Sequence, residues 1–262
     1  MLKRLLFFAY GSFSYLIFLA TFLYAIAFVG GFVVPTQLDG PSQGPITTAL
    51  AIDAALLMVF AVQHSVMARR WFKERWTQIV PWAIERATFV LCASAALLLL
   101  FWLWRPIGIP VWTIENGYAR LIVWTLFAAG WGTVLVMTFL INHFDLFGLR
   151  QVWLPLIGKP YTPVPFRTPL PYRIIRHPLY FGFLLAFWMT PHMTLAHLVF
   201  ALATTAYIVL AIQFEERDLL SEHGVSYAEY RRKVPMLLPG MRRSASPLPV
   251  DSGSAAPSAS RR

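Results

Sequence analysis

The sequence predicts an all-α integral membrane protein with six membrane-crossing helices and both termini in the cytoplasm. Three observations lead there. Only 13% of the 262 residues are charged and 58% are hydrophobic, with a mean hydropathy of +0.59; a soluble domain carries roughly 25% charged residues. The apolar residues fall into long runs, several of which reach the roughly 20 residues that a helix needs to cross a bilayer. The cations sit between those runs with a strong bias: two at the N-terminus, four after the second run, five after the fourth and eight in the tail, nineteen of the 22. The positive-inside rule places that side in the cytoplasm. The same placement argues against nucleic acid as the reason for the net charge of +10, because the cations mark span ends rather than line one groove. Cys92 is the single cysteine and lies inside an apolar run, so an intramolecular disulfide and a cysteine metal cluster are excluded, and packing is its expected role.

Residues 5–34 form an uncharged run, too long for the core of a signal peptide and read as a retained first span. A Gly/Pro loop with Asp39 as its one charge follows. The second span, residues 45–67, carries Asp53 in its outer third, expected to be structural, and ends in Gln63-His64-Ser65. Residues 68–80 alternate cations with Trp71 and Trp76, which suits a helix lying at the headgroups. The third span is residues 83–104, with Trp102 and Trp104 at the far interface. The fourth, residues 118–141, exits into Asn142-His143-Phe144-Asp145. Residues 1–141 thus read as scaffold. Residues 142–175 read as a basic cytoplasmic loop to which prolines 155, 160, 163, 165, 169 and 171 deny a regular helix. The fifth span, residues 178–190, is about 20 Å of helix and barely crosses. The sixth, residues 195–214, leads into a polar tail helix. Residues 176–240 form one unit of hairpin and tail, and the Ser/Pro/Ala-rich residues 241–262 read as disordered.

This topology gathers polar residues at one face. His64 ends span 2; Asn142, His143 and Asp145 end span 4; Arg176 and His177 open span 5; Glu215 and Glu216 close span 6. Ionisable groups near a bilayer are costly unless paired or functional, so the cluster points to a site open to the cytosol. Pro178 suits the first turn of a helix, whose outward-facing amides favour a carboxylate or phosphate. Glu215 and Glu216 either pair with Arg173 or Arg176 or hold a cationic or hydroxylated ligand. His64, His143, His177 and the glutamates are metal-ligand types, but no two histidines are spaced as a ligand pair on one helix, so no metal is expected.

The set Arg176-His177-Pro178-Leu179-Tyr180-Phe181-Gly182, Glu215-Glu216, Leu219, His223-Gly224, Tyr227, Tyr230 and Pro235/Pro239 resembles the isoprenylcysteine carboxyl methyltransferase and phospholipid methyltransferase superfamily. The front of the chain, through Gln63-His64-Ser65 and Asn142-His143-Phe144-Asp145, resembles the bacterial methanethiol S-methyltransferase branch. That branch is close to a denitrification-associated membrane family. The resemblance implies an enzyme of the bacterial cytoplasmic membrane that moves a methyl group from S-adenosylmethionine to methanethiol. It puts His177, Pro178, Leu179, Tyr180, Glu215 and Glu216 on the cofactor, with Tyr161 a further candidate. A thiolate is the effective nucleophile; by position, Asn142, His143 and Asp145 are the expected catalytic group, with Asp145 or His143 accepting the proton and His64 on the substrate side. Other methyl acceptors, and a non-enzymatic membrane partner in nitrogen-oxide metabolism, stay open at this point.

Overall fold

The computed structural model describes residues 1–164 and 169–240 of the chain. The expected disorder of residues 241–262 lies outside the described residues. The architecture is all-α, with one small β-ribbon. Among the described residues five helices are long and apolar enough to cross a membrane: α1 (Leu2–Gly30), α2 (Ile46–Ala68), α4 (Trp82–Leu103), α5 (Gly117–Ile141) and α10 (Leu195–Lys233). Between them lie short helices α3 (Arg70–Trp76), α6 (His143–Leu146), α7 (Leu149–Leu156), α8 (Leu170–Ile174) and α9 (Pro178–Trp188). The apolar sides of the long helices face outward as well as inward; Leu16, Met58, Leu121 and Leu202 are all exposed, as lipid contact requires.

The fifth expected span is α9, and it has only 11 residues, about 16 Å of rise. A hydrocarbon core is about 30 Å thick, so α9 is a half-span. Its C-terminal end docks on the side of α10: the Trp188 indole donates to Thr205 Oγ1 at 2.9 Å, and the Phe187 carbonyl faces His197 Nε2 at 2.9 Å. The chain continues through Thr190 into strand β2 (His192–Thr194), which pairs antiparallel with β1 (Pro110–Thr113). Pro110–Thr113 lies between the third and fourth apolar runs, where the sequence predicts a loop. Four residues with no clean alternation carry little strand signal, and only the partner across space makes them a ribbon. Irregular backbone at membrane depth is tolerated where its polar groups are satisfied by protein. His197 and the Trp112 indole, which donates to Thr190 O at 3.1 Å, do that here.

The core runs through the middle of the bundle, with Phe28, Leu100, Phe101, Trp104, Phe127, Trp131, Ala186 and Phe200 packed together. The seam that positions α9 is glycine against glycine. A Cβ on Gly130 of α5 would come within 2.9 Å of the Gly182 carbonyl and 2.6 Å of the Ala186 amide nitrogen; one on Gly182 would meet the Gly130 carbonyl at 2.9 Å. Small residues let membrane helices approach backbone to backbone, and this pair fixes where the start of α9 sits.

Helix α10 runs for 39 residues, interrupted only at Gly224, whose φ of 54° and ψ of −124° are not helical. The apolar span and the polar tail are therefore one rod as far as His223, and glycine supplies the turn that sends the chain back. The returning segment reaches the start of α9, where Arg176 N donates to Pro235 O at 2.9 Å and His177 N to Met236 O at 3.2 Å.

Candidate active site

One end of the bundle carries two polar assemblies. The first is built on the start of α9. The Arg176 guanidinium donates through Nε to Glu216 Oε1 at 2.7 Å, and His177 Nε2 lies 3.1 Å from the same oxygen. Arg231 approaches the other oxygen at 3.5 Å. Arg176 also donates to the carbonyls of Arg231 and Val234. His177 and Glu216 are buried. Such a charge cluster persists out of water only because each charge meets an opposite one. The Glu216 carboxylate is thus committed to the protein, and the ion pair with Arg176 that the sequence left open is formed.

Glu215 differs. Its side chain is 45% exposed, it accepts a hydrogen bond from Tyr180, and it lies 3.9 Å from His177 Nδ1. Above it, α9 begins with Pro178 and has no side-chain cap, leaving the first-turn amides of Leu179 and Tyr180 without helical partners. Amides for an anion and a carboxylate for an ammonium or hydroxyl stand side by side. This donor set fits an amino-acid headgroup such as that of S-adenosylmethionine, with Glu215 rather than Glu216 as the free carboxylate.

The second assembly sits where α5 ends. The Asn142 side chain caps α6 by accepting from Asp145 N at 3.2 Å. Asp145 is held by Arg150 Nη1 at 3.0 Å and by the Tyr161 hydroxyl at 3.4 Å; burial and the Asp145 carboxylate raise the Tyr161 phenol above its usual range. Tyr161, a cofactor candidate by sequence, is thus placed on the Asp145 assembly, packed edge-on against Trp82 and under the Arg150 guanidinium. Gly148, at φ 85°, turns the chain against α4, and a Cβ there would strike the Ala87 backbone at 2.7 Å. Across that contact Arg86 donates to Leu146 O at 2.8 Å.

His143 is buried and stacked on Phe139, with centroids 4.2 Å apart. Burial lowers its basicity and so favours the neutral ring. The Thr138 hydroxyl gives its proton to Leu135 O at 2.7 Å, so its oxygen accepts from His143 Nδ1–H at 2.8 Å. Nε2 then carries the lone pair and accepts from the Tyr15 hydroxyl at 2.9 Å. Both ring nitrogens are in use.

The C-terminal end of α2 stands between the two assemblies. Ser65 shares a hydrogen bond with Tyr207 of α10 at 3.1 Å, and Arg69 pairs with Asp218 at 3.2 Å. On the other flank, the His64 ring packs against Phe89 of α4 with centroids 5.0 Å apart, and Arg86 lies over the Phe89 ring. The structure therefore brings together every residue singled out by sequence at one end of the bundle, but in two groups bridged by α2. Sequence reasoning missed Arg86, Tyr15, Thr138 and Tyr207. Each lies inside an apolar run, where its depth alone gave no hint of a polar partner. Among the described residues no group of three histidine, cysteine or carboxylate side chains is placed to hold a metal.

No protein-family profile matches the chain, and no solved structure does. Curated proteins do. A methanethiol S-methyltransferase of Crocosphaera subtropica is 56% identical over 91% of this chain and 93% of its own length. One of Mycobacterium tuberculosis is 54% identical over 92% of this chain and 99% of its own. Nurim of Mus musculus is 29% identical over 66% of this chain and 69% of its own. With more than half of its residues shared across nine-tenths of its length, the chain belongs to the methanethiol S-methyltransferase family and is a membrane-embedded methyltransferase.

Proposed function

We propose that this enzyme methylates methanethiol to dimethyl sulfide with S-adenosylmethionine as donor, at the cytoplasmic face of a bacterial inner membrane. The observation that carries the reading is the start of α9, where the uncapped amides of Leu179 and Tyr180 adjoin the half-exposed Glu215 carboxylate, in a chain whose relatives are named for this reaction. When bound, the donor supplies a methyl group already activated by a sulfonium centre. The protein's task is to place a sulfur nucleophile in line with that methyl and to exclude water.

In this reading His177, Pro178, Leu179 and Tyr180 form one wall of the cofactor half and Glu215 the other. Glu216 holds Arg176 and His177 in register instead of touching ligand. Asn142, His143 and Asp145, with Tyr161 and Arg150 behind them, wall the acceptor half. An apolar thiol that partitions into lipid reaches such a site through the membrane. The cation bias of the loops supports the cytoplasmic assignment. Calorimetry with S-adenosylmethionine on the purified protein tests the cofactor, and headspace detection of dimethyl sulfide from added methanethiol tests the acceptor. Binding with no dimethyl sulfide would retain the cofactor and discard the acceptor; no binding would discard both.

A further inference from the structure

A methyl thiol is mostly protonated near neutral pH, and the thiolate is the species that attacks. The acceptor half therefore needs a group with a lone pair to spare, and its members are already engaged. His143 Nε2 accepts from Tyr15, and the Asp145 carboxylate is taken by Arg150 and Tyr161. Glu216 is saturated by Arg176, His177 and Arg231. His64 is the exception. Its Nδ1 is buried and has no hydrogen-bond partner among the described residues, and the neighbouring Gln63 Oε1 is in the same condition. A buried polar atom left unpaired costs on the order of 1–3 kcal/mol, so the bare Nδ1 points to a polar ligand that completes it.

The position agrees. The His64 ring is stacked on Phe60 with centroids 5.3 Å apart and packs against Phe89, so its faces are apolar and only its edge is free for polar contact. Phe60 in turn touches Tyr207, and Ser65 bonds to Tyr207, on the α10 side that carries Glu215. Arg86 of α4, which lies over the Phe89 ring that His64 packs against, is also the residue that binds Leu146 O beside Asp145. His64 thus sits on a helix end that borders both halves.

Resting on the methyltransferase reading, we propose that His64 Nδ1 is the proton acceptor for the thiol. The S–H bond breaks and its proton passes to Nδ1. The electron pair stays on sulfur and forms the new bond to the methyl carbon. That carbon's bond to the donor sulfonium breaks, and its pair remains on the donor sulfur as a neutral thioether. The base role expected of Asp145 or His143 passes to His64, and those two become positioning residues.

The test uses the full-length protein with His64→Gln and His64→Ala. Both variants are expected to bind S-adenosylmethionine as the wild type does, which also reports folding. With methanethiol and no methyl donor, wild-type protein is expected to show the ultraviolet absorbance of bound thiolate below the thiol's own pKa, and the variants are not. In turnover the variants are expected to lose about 100-fold or more in kcat/KM, within the range for a general base, and to gain tenfold per pH unit as free thiolate replaces the missing base. A variant that keeps the thiolate signal and stays within about threefold of wild type overturns the assignment. If wild-type protein itself binds no S-adenosylmethionine or makes no dimethyl sulfide, the underlying reading fails instead.

Discussion

Two histidine–carboxylate pairs mark opposite ends of the bundle, and they differ in what is left over. At the end away from the candidate site His197 Nδ1 lies 2.7 Å from Asp39 Oδ2, and Nε2 lies 2.9 Å from Phe187 O. Thr194 donates to the other Asp39 oxygen through both its amide and its hydroxyl. Every acceptor and donor is used and His197 is fully buried. At the candidate-site end His177 and Glu216 are also buried, but Glu215 beside them stays half exposed and the first-turn amides of α9 have no side-chain cap. The first network closes on itself and fastens the loop after α1 to the start of α10. The second stops short of closing. A polar cluster in a membrane protein is a clasp when its valences are all met inside the chain, and a candidate site when some are not.

That contrast can be broken by substitution. The largest effect is expected from Glu216→Ala, which strands the buried Arg176 and His177; breaking such a pair costs on the order of 3 kcal/mol. S-adenosylmethionine affinity in calorimetry should fall at least 100-fold and the thermal midpoint should drop with it. Glu215→Gln should lower affinity about tenfold at unchanged thermal stability, because it removes charge from a half-exposed group. If Glu215→Gln binds as tightly as wild type, the open carboxylate is not part of the cofactor half.

Gly182→Ala should push α9 away from α5, since the new Cβ meets the Gly130 carbonyl at 2.9 Å. Overpacking of this kind costs about 1–3 kcal/mol, read as a lower midpoint together with a several-fold loss of affinity. Asp145→Ala should leave affinity within about twofold and lower turnover about tenfold, by releasing Arg150 and Tyr161; normal turnover would remove the α6 corner from the acceptor half. The smallest functional effect is expected from Asp39→Asn. It weakens the clasp, so the midpoint falls, while affinity and turnover per folded molecule stay within about twofold. A loss of affinity there to match Glu216→Ala would erase the distinction between the two ends.

Much of this was legible in the chain. The long helices lie where the apolar runs are, because in lipid only a helix satisfies its own backbone. The Arg176–Tyr180 and Glu215–Glu216 stretches were visible as a pair because both interrupt apolar sequence with charge at one predicted depth. The short fifth span was visible from Pro178 and Pro191. What stayed hidden were contacts between residues far apart. Which glutamate pairs with Arg176 could not be read from two adjacent carboxylates; a helix turns them about 100° apart, and only packing decides which one faces in. Tyr161, expected on the cofactor, donates to Asp145 instead. Asp53, whose partner the sequence did not name, accepts from the Arg105 backbone amide at 2.9 Å, a donor that no side-chain pattern announces.

The sequence by itself determined the class, the long spans and the residue types of the site, because hydrophobic length and charge placement are local properties that the bilayer reads directly. The tertiary structure decided which polar groups are spent and which are spare. His143, Asp145 and Glu216 are engaged, while Glu215 and His64 keep an open valence. That distinction belongs to hydrogen-bond partners between 5 and 128 residues away along the chain, and the helix–helix seams that bring them together, such as Gly130 against Gly182, exist only once the bundle has packed.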